Sequence, residues 1–353
     1  MKQYLFTPGP VPMSNKILEI GREQVPYFRN EYFSNLMLES KELLIKLVNA
    51  PKNSEVIFLT SSGTGAMEAT IINLLNCNSH PIVINGGGFG QRFVDICNKN
   101  NIPHHNIQIT KDEDIDFKFL STLDADSFIV NAHETTVGRL YDLNQISKFT
   151  KENNLINIVD GISTIVCDEL DMIKHNIDAL ILSSNKGLAL PPGLGMVVLG
   201  PKAIKKLKIH NSIYFDFKDC ISNMKRGQTP FTPAVSILKQ LHFRLNKINT
   251  YGINNILKEK QDLALYFRDK IKSLPLALYL KKMPNGMTTL TPTDGKLAFE
   301  IVEYFEKEYN IILTPSGGEL KDKVIRISHM GYMDTKYIDV LINHLNKYYG
   351  VSK

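Results

Sequence analysis

The chain has 353 residues, 43% of them hydrophobic and 22% charged, an ordinary globular composition that at about 150 residues per domain predicts two domains. The formal net charge of +5 has no Lys/Arg block dense enough for nucleic acid, because the richest stretch, Lys202–Lys208, interleaves apolar residues and reads as a solvated helix face. No apolar run approaches the roughly 20 residues of a membrane helix, so a membrane partner is not expected.

The first residues, Met1 to Pro8, meet a proline before any signal-type apolar core forms, and a cytoplasmic protein is expected. Leu5–Pro12 is Pro-rich and extended, because proline fixes its own φ and restricts the residue before it. Residues 1–20 are therefore an N-terminal arm. Glu31–Val48 has helical apolar spacing. From Glu55 short apolar runs alternate with helical patterns: strands at Val56–Leu59, Pro81–Ile84, Ser127–Val130, Ile156–Val159, Ala179–Leu182 and Gly195–Leu199, helices at Gly65–Leu75, Gln91–Asn98 and Leu143–Glu152. Repeated strand–helix units predict an α/β fold whose mostly parallel sheet carries helices on both faces. A helical stretch, Ala234–Ser273, breaks near Gly252. Beyond it come a helix at Gly295–Tyr309, strands at Ile311–Thr314 and Val324–Ser328, and a helix at Thr335–Tyr349. The expected division is 21–250 for a large domain and 251–353 for a small C-terminal α/β domain. Cys77, Cys97, Cys167 and Cys220 form no CxxC pair, so no metal site is expected, and they read as buried thiols of a reducing compartment.

Four segments fall at the C-terminal ends of predicted strands, where open α/β sheets bind ligands. Thr60-Ser61-Ser62-Gly63-Thr64-Gly65 joins a strand to a helix, and its small residues and free N–H groups suit a phosphate, although an ordinary N-cap looks the same. Asp160 ends an apolar strand; it is either a plain cap or a carboxylate for a protonated pyridine nitrogen. Lys186 lies in the polar turn Ser183–Gly187 at the end of a buried strand; it is either a solvated surface lysine or one that points into the crevice. Phe89, inside the glycine cluster Gly86–Gly90, is either core or a ring that stacks on a flat ligand.

Asp160, followed 26 positions later by Lys186 within Ser-Ser-Asn-Lys-Gly-Leu-Ala-Leu-Pro-Pro-Gly, resembles the class V aminotransferases of pyridoxal-phosphate (PLP) fold type I. That group includes alanine–, serine– and 2-aminoethylphosphonate-dependent enzymes. Thr7-Pro8-Gly9-Pro10, Ser62-Gly63-Thr64 with Glu68, Phe89-Gly90-Gln91-Arg92, His133-Glu134-Thr135-Thr136-Val137-Gly138, Thr232-Pro233 and Arg326-Ile327-Ser328-His329-Met330-Gly331 resemble further family segments in family order. The resemblance covers nearly the whole chain. It implies a large domain with a seven-stranded sheet and a PLP cofactor held as a Schiff base on Lys186, with Asp160 on the pyridinium nitrogen and Phe89 stacked on the ring. It further implies phosphate contacts from Ser62, Gly63, Thr64 and Asn185, a hydroxyl from Thr135 on the cofactor's phenolic oxygen, and a phosphate contact from Thr232 of the partner in a homodimer with shared sites. Arg326, with Gly9 and Arg29 near the mouth, is implied to bind the substrate carboxylate, for which its planar fork suits better than lysine. Ser328 stands where glycine is usual, Thr229 where some members have tyrosine, and Phe28 where a histidine often precedes Arg29.

The implied activity moves an amino group from alanine, serine or aspartate to a 2-oxo acid such as glyoxylate or pyruvate, by a ping-pong mechanism. The 2-aminoethylphosphonate–pyruvate reaction is the alternative. A cysteine desulfurase-like lyase fits less well, because Asn185 precedes the lysine and no cysteine lies near a plausible C-terminal loop. A non-catalytic scaffold need not keep both Lys186 and Asp160. A dinucleotide-binding protein would need GxGxxG spacing that Gly86–Gly90 lacks.

Overall fold

The structure is a computed structural model and describes residues 2–111 and 113–351. Met1, with which the reading of the N-terminus begins, and residues 352–353, the end of the expected C-terminal segment, lie outside the described residues.

Seven strands form the main sheet: β1 (Glu55–Leu59), β2 (Pro81–Asn85), β3 (His105–Gln108), β4 (Ser127–Asn131), β5 (Ile156–Asp160), β6 (Ala179–Ser183) and β7 (Gly195–Leu199). Their order is β1-β7-β6-β5-β4-β2-β3. β7 runs antiparallel to both neighbours and the other pairings are parallel. The central strands are apolar throughout because both faces are covered. Ile57, Val83, Ile129, Ile158, Ile181 and Val197 pack in one core with Met67 and Phe93, which belong to helices α3 (Gly63–Leu74) and α4 (Gly88–Lys99). The alternate residues Val56, Ile82, Phe128, Val159, Leu180 and Met196 pack on the opposite face with Met37, Ile146 and Leu241. These come from α2 (Glu31–Leu47), α5 (Leu143–Glu152) and α6 (Val235–Tyr251). The period-2 alternation thus sorts one run of residues into two cores.

The helical stretch beyond β7 breaks at Gly252, whose φ of 91° suits glycine, and continues as α7 (Ile253–Lys270). A second, four-stranded antiparallel sheet follows. It comprises β8 (Leu276–Leu278), β9 (Met287–Pro292), β10 (Thr314–Pro315) and β11 (Ile325–Ser328), in the order β8-β9-β11-β10. Helices α7, α8 (Ala298–Tyr309) and α9 (Thr335–Tyr348) cover it around Phe267, Phe305, Ile327 and Leu341. The arm reaches this unit too: Tyr4–Leu5 pairs in parallel with Ile311–Ile312, and Phe6 is fully buried in the same core.

Cys97, Cys167 and Cys220 are buried, but Cys77 is exposed, contrary to the expectation for all four. It lies in the turn between α3 and β2. Among the described residues no helix is long and apolar enough to cross a membrane, and no cluster of His, Cys, Asp and Glu could hold a metal ion.

Candidate active site

Lys186 follows β6 in a turn that packing makes rigid. The Ser184 amide donates to the Leu194 carbonyl at 3.0 Å and the Leu190 amide to the Ser184 carbonyl at 3.1 Å. The Ala189 amide closes on the Lys186 carbonyl at 2.8 Å. Gly187 has no room for a side chain, since a Cβ there would stand 1.9 Å from the Ile165 carbonyl oxygen. The Lys186 amine lies 5.5 Å from the centre of the Phe89 ring. Burial pushes its pKa down to about 8, with the Asp160 carboxylate acting in the opposite direction and Arg326 in the same one.

Asp160 ends β5, the neighbour of β6 in the sheet. Its Oδ2 accepts from Asn131 Nδ2 at 2.6 Å and its Oδ1 from the Ile162 amide at 2.8 Å. Asn131 stands opposite it in register, at the end of β4. Burial raises the Asp160 pKa to about 6, against these two hydrogen bonds and the charge of Lys186. Thr135 shares a 2.7 Å hydrogen bond with Ser163 Oγ. His133 pairs Nδ1 with the Ser163 carbonyl at 3.3 Å, and its buried Nε2 has no hydrogen-bond partner. Burial, with the nearby charges of Lys186 and Arg326, pushes the His133 pKa down to about 3, so the ring is neutral and Nε2 is an acceptor.

Ser62 caps α3, its Oγ accepting from the Gly65 amide at 3.2 Å. The amides of Gly63 and Thr64 lie in the first turn and have no partner within the helix. A Cβ on Gly63 would meet Ile162 Cδ1 at 2.7 Å, so the turn packs directly against the segment after Asp160. Thr64 Oγ1 accepts from Arg92 at 3.1 Å, and the same guanidinium lies 5.5 Å from the Phe89 ring centre. Phe89 sits in the first turn of α4 rather than in the expected glycine loop, because the helix begins at Gly88. The cap on that turn is the buried carboxylate of Glu134, which accepts from the Phe89 amide at 3.1 Å and the Gly90 amide at 2.9 Å.

Gly9 brings the arm to the site: a Cβ there would lie 3.1 Å from Asn185 Nδ2 and 3.3 Å from Lys186 Cε. Asn185 is held by Ser183 Oγ at 2.9 Å. Arg326, on β11, anchors its guanidinium on the Pro315 carbonyl (Nε 3.1 Å, Nη2 2.9 Å) and on the Thr135 carbonyl (Nη1 3.3 Å). Two N–H hydrogens remain for a ligand. A crevice of about 900 Å³ runs beside Phe89 and Arg326, with Arg92 and Thr136 on its wall.

Arg29 is tied to the 228–232 loop, and Thr232, expected at the partner's phosphate, lies in that loop. Arg29 binds Gln228 Oε1 at 3.2 Å and the Thr229 carbonyl at 3.0 Å, and Thr232 accepts through its carbonyl from Thr60 Oγ1 at 3.4 Å. These bonds hold the 228–232 loop near the phosphate turn. The departure at Ser328 is accommodated: its Oγ accepts from the Met330 amide at 3.1 Å, and its own amide donates to the Phe6 carbonyl at 2.8 Å. Asn131, His133, Glu134 and Ser163 belong to the site but carry no role in the sequence reading. The local signal for Asn131, His133 and Glu134 is that the apolar β4 ends in a mostly polar stretch, residues 131–136.

The aminotransferase class-V family model matches residues 24–341. A protein named an uncharacterized aminotransferase from Helicobacter pylori (strain J99) is 31% identical over 337 residues, covering 93% of this chain and 88% of its own. The L-aspartate–glyoxylate aminotransferase of Paracoccus denitrificans is 23% identical, covering 93% of this chain and 86% of its own. The crystal structure of a subgroup IV aspartate aminotransferase from Thermus thermophilus superposes with a TM-score of 0.92 at 24% identity, covering 98% of this chain and 99% of its own. From the family match over residues 24–341 and the 31% identical relative, the chain belongs to the aminotransferase class-V family, whose members are PLP-dependent transaminases.

Proposed function

We propose that this chain transfers an amino group from a small amino acid such as alanine, serine or aspartate to a 2-oxo acid such as glyoxylate or pyruvate, in two half-reactions. The observation that carries the reading is the pair Lys186 and Asp160 at the ends of adjacent strands, one with its pKa pushed down to about 8 and the other up to about 6. Perturbed, buried groups of opposite type in a crevice mark sites of proton transfer.

The residues fit PLP. Asp160 supplies a buried carboxylate, His133 Nε2 is a buried acceptor without a hydrogen-bond partner, and Gly9 and Gly63 leave the backbone free of side chains against Lys186 and Ile162. Lys186 would hold the cofactor covalently, Asp160 its ring nitrogen, Phe89 one ring face and Thr135 the phenolic oxygen. Ser62, Gly63, Thr64 and Asn185 would hold the phosphate, joined by Thr232 of a second copy in a homodimer. Bound PLP supplies an electron sink next to the substrate's Cα.

With its amine free, Lys186 would be the base that moves a proton from the donor's Cα to the cofactor carbon that receives the amino group, and from that carbon to the acceptor's Cα in the second half-reaction. A pKa of about 8 leaves a useful neutral fraction at physiological pH. Asp160, with its pKa about one unit below neutral, is mostly ionised and would keep a partner cation charged. Arg326, with Gly9 nearer the mouth, would orient the substrate carboxylate, and its three backbone anchors restrict the guanidinium to one plane; Arg29, held by Gln228 and the Thr229 carbonyl, would act only through the 228–232 loop. The expected division into an arm (1–20), a large domain (21–250) and a small domain (251–353) suits a crevice that Arg326 enters from the second sheet.

A screen of alanine, serine, aspartate and 2-aminoethylphosphonate, each with glyoxylate or pyruvate, tests the reading by product formation and by the change in the cofactor's visible absorbance. One donor should give a 2-oxo product and parallel double-reciprocal lines. Sulfide release from cysteine, with no amino transfer, would replace the reading with a lyase.

A further inference from the structure

Glu134 has no part in the proposed chemistry, yet its side chain lies inside the site. It is 1% exposed. Its Oε2 accepts from the amides of Phe89 (3.1 Å) and Gly90 (2.9 Å), and its Oε1 from the Thr136 amide (3.0 Å) and, at 3.4 Å, also from Phe89. Next to it Thr136 Oγ1 accepts from the Gly88 amide at 3.1 Å. Three consecutive amides at the start of α4 therefore end on the side chains of Glu134 and Thr136. Gly87, the residue before the helix, has no side-chain cap of its own. A Cβ on Gly87 would stand 2.8 Å from Glu134 Cγ and Cδ, so glycine there is what lets the carboxylate reach the helix.

We infer that Glu134 is a positioning residue that fixes the Phe89 ring above the site by clamping the first turn of α4 to the loop that carries Thr135. The clamp ties together three groups that the proposed function needs in register. Phe89 is its direct hydrogen-bond partner, Thr135 is its chain neighbour, and Arg326 binds the Thr135 carbonyl. Its charge also reaches Lys186 and Arg326, raising the pKa of each. The inference rests on Phe89 being the ring that covers the cofactor.

Glutamine at this position keeps the shape but cannot keep the bonds. With its NH₂ in place of Oε2 it faces the Phe89 and Gly90 amides, and in place of Oε1 it faces Thr136, donor against donor in either case. Glu134→Gln should therefore speed hydrogen–deuterium exchange at 88–90 roughly tenfold and weaken PLP binding by a similar factor, while exchange within β5 is unchanged. Gly87→Ala, which presses on the same contact from the other side, should do the same, and it carries the test if Glu134→Gln does not fold. Unchanged exchange at 88–90, or faster exchange with unchanged PLP affinity, would overturn the inference. A wild-type protein that takes up no PLP would instead sink the functional reading. In that event a Phe89→Trp reporter, in a chain that has no tryptophan of its own, decides the positioning role. Quenching of its emission by acrylamide should rise when Glu134→Gln is added, and equal quenching would refute the clamp.

Discussion

Asp160→Asn should make the cofactor-free protein more stable while abolishing most of its activity. Burial lifts the Asp160 pKa from an ordinary 3.8 to about 6. At about 1.4 kcal/mol per unit, that difference is a cost of about 3 kcal/mol for carrying the charge at neutral pH without a cationic partner. Asparagine removes the charge and keeps the shape. Its Oδ1 can still accept from Ile162, but its NH₂ meets Asn131 Nδ2, and turning that amide over costs about 1 kcal/mol. The expected net gain is about 2 kcal/mol at pH 8. The sign follows from linkage. A folded-state pKa raised above the unfolded value gives a contribution that is complete below about pH 4 and is lost as pH rises through about 6. The advantage of the variant should therefore open between pH 4 and 7 and stay level above. Unfolding midpoints of both cofactor-free proteins, measured across that range, read the gap directly. A variant less stable than wild type at pH 8, or a gap independent of pH, would refute the assignment of Asp160 as a charge held without its partner. With PLP present the order should reverse, because only the carboxylate can pair with a ring cation.

Capture of PLP by cofactor-free protein should accelerate about tenfold per pH unit up to pH 8 and then level off, following the neutral fraction of a lysine whose pKa is about 8; a rise continuing to pH 10 would mean an unperturbed amine. Arg326→Lys should raise KM for the amino donor by roughly ten- to a hundredfold, because lysine cannot reproduce the fork or the anchors on Pro315 and Thr135. Steady-state kinetics with unchanged KM would remove Arg326 from substrate binding. Phe6→Ala should lower stability by about 3–5 kcal/mol, since a fully buried ring ties the arm into the second core; a thermal scan reads it, and a shift near zero would show that the arm docks without that ring. Mixing Lys186→Ala with Thr232→Ala protein should give heterodimers holding one site with both residues intact, and hence more activity than either parent; an inactive mixture would argue against a shared site.

The main sheet was legible because a strand buried on both faces is a short apolar run, and the runs at 56–59, 127–130, 156–159, 179–182 and 195–199 say so without ambiguity. β3 was not, because an edge strand reading His-Asn-Ile-Gln is half exposed and its pattern is mostly polar. β9 was missed for a similar reason: its Thr-Thr pair is buried by hydrogen bonds and packing that a hydropathy pattern does not register. Helix α1 (Asn15–Arg22) follows the Pro-rich arm and is too short to stand out. Lys186, Asp160 and Phe89 were found from strand ends and family order, and the structure draws them together. Glu134 was not found, because its partners lie about 45 residues earlier in the chain and nothing local marks a carboxylate that caps another element's helix. Arg29 illustrates the opposite limit: sequence order places it in the family pattern near the mouth, but within one chain its guanidinium is bound to Gln228 and the Thr229 carbonyl.

The most direct test of Lys186 as the cofactor-bearing residue is borohydride reduction of the PLP-loaded protein followed by peptide mass spectrometry. A phosphopyridoxyl group should be found on the peptide containing Lys186, and Lys186→Ala protein should carry none and turn over no donor. A label on a different lysine, or an unchanged visible cofactor band in the Lys186→Ala protein, would contradict the account.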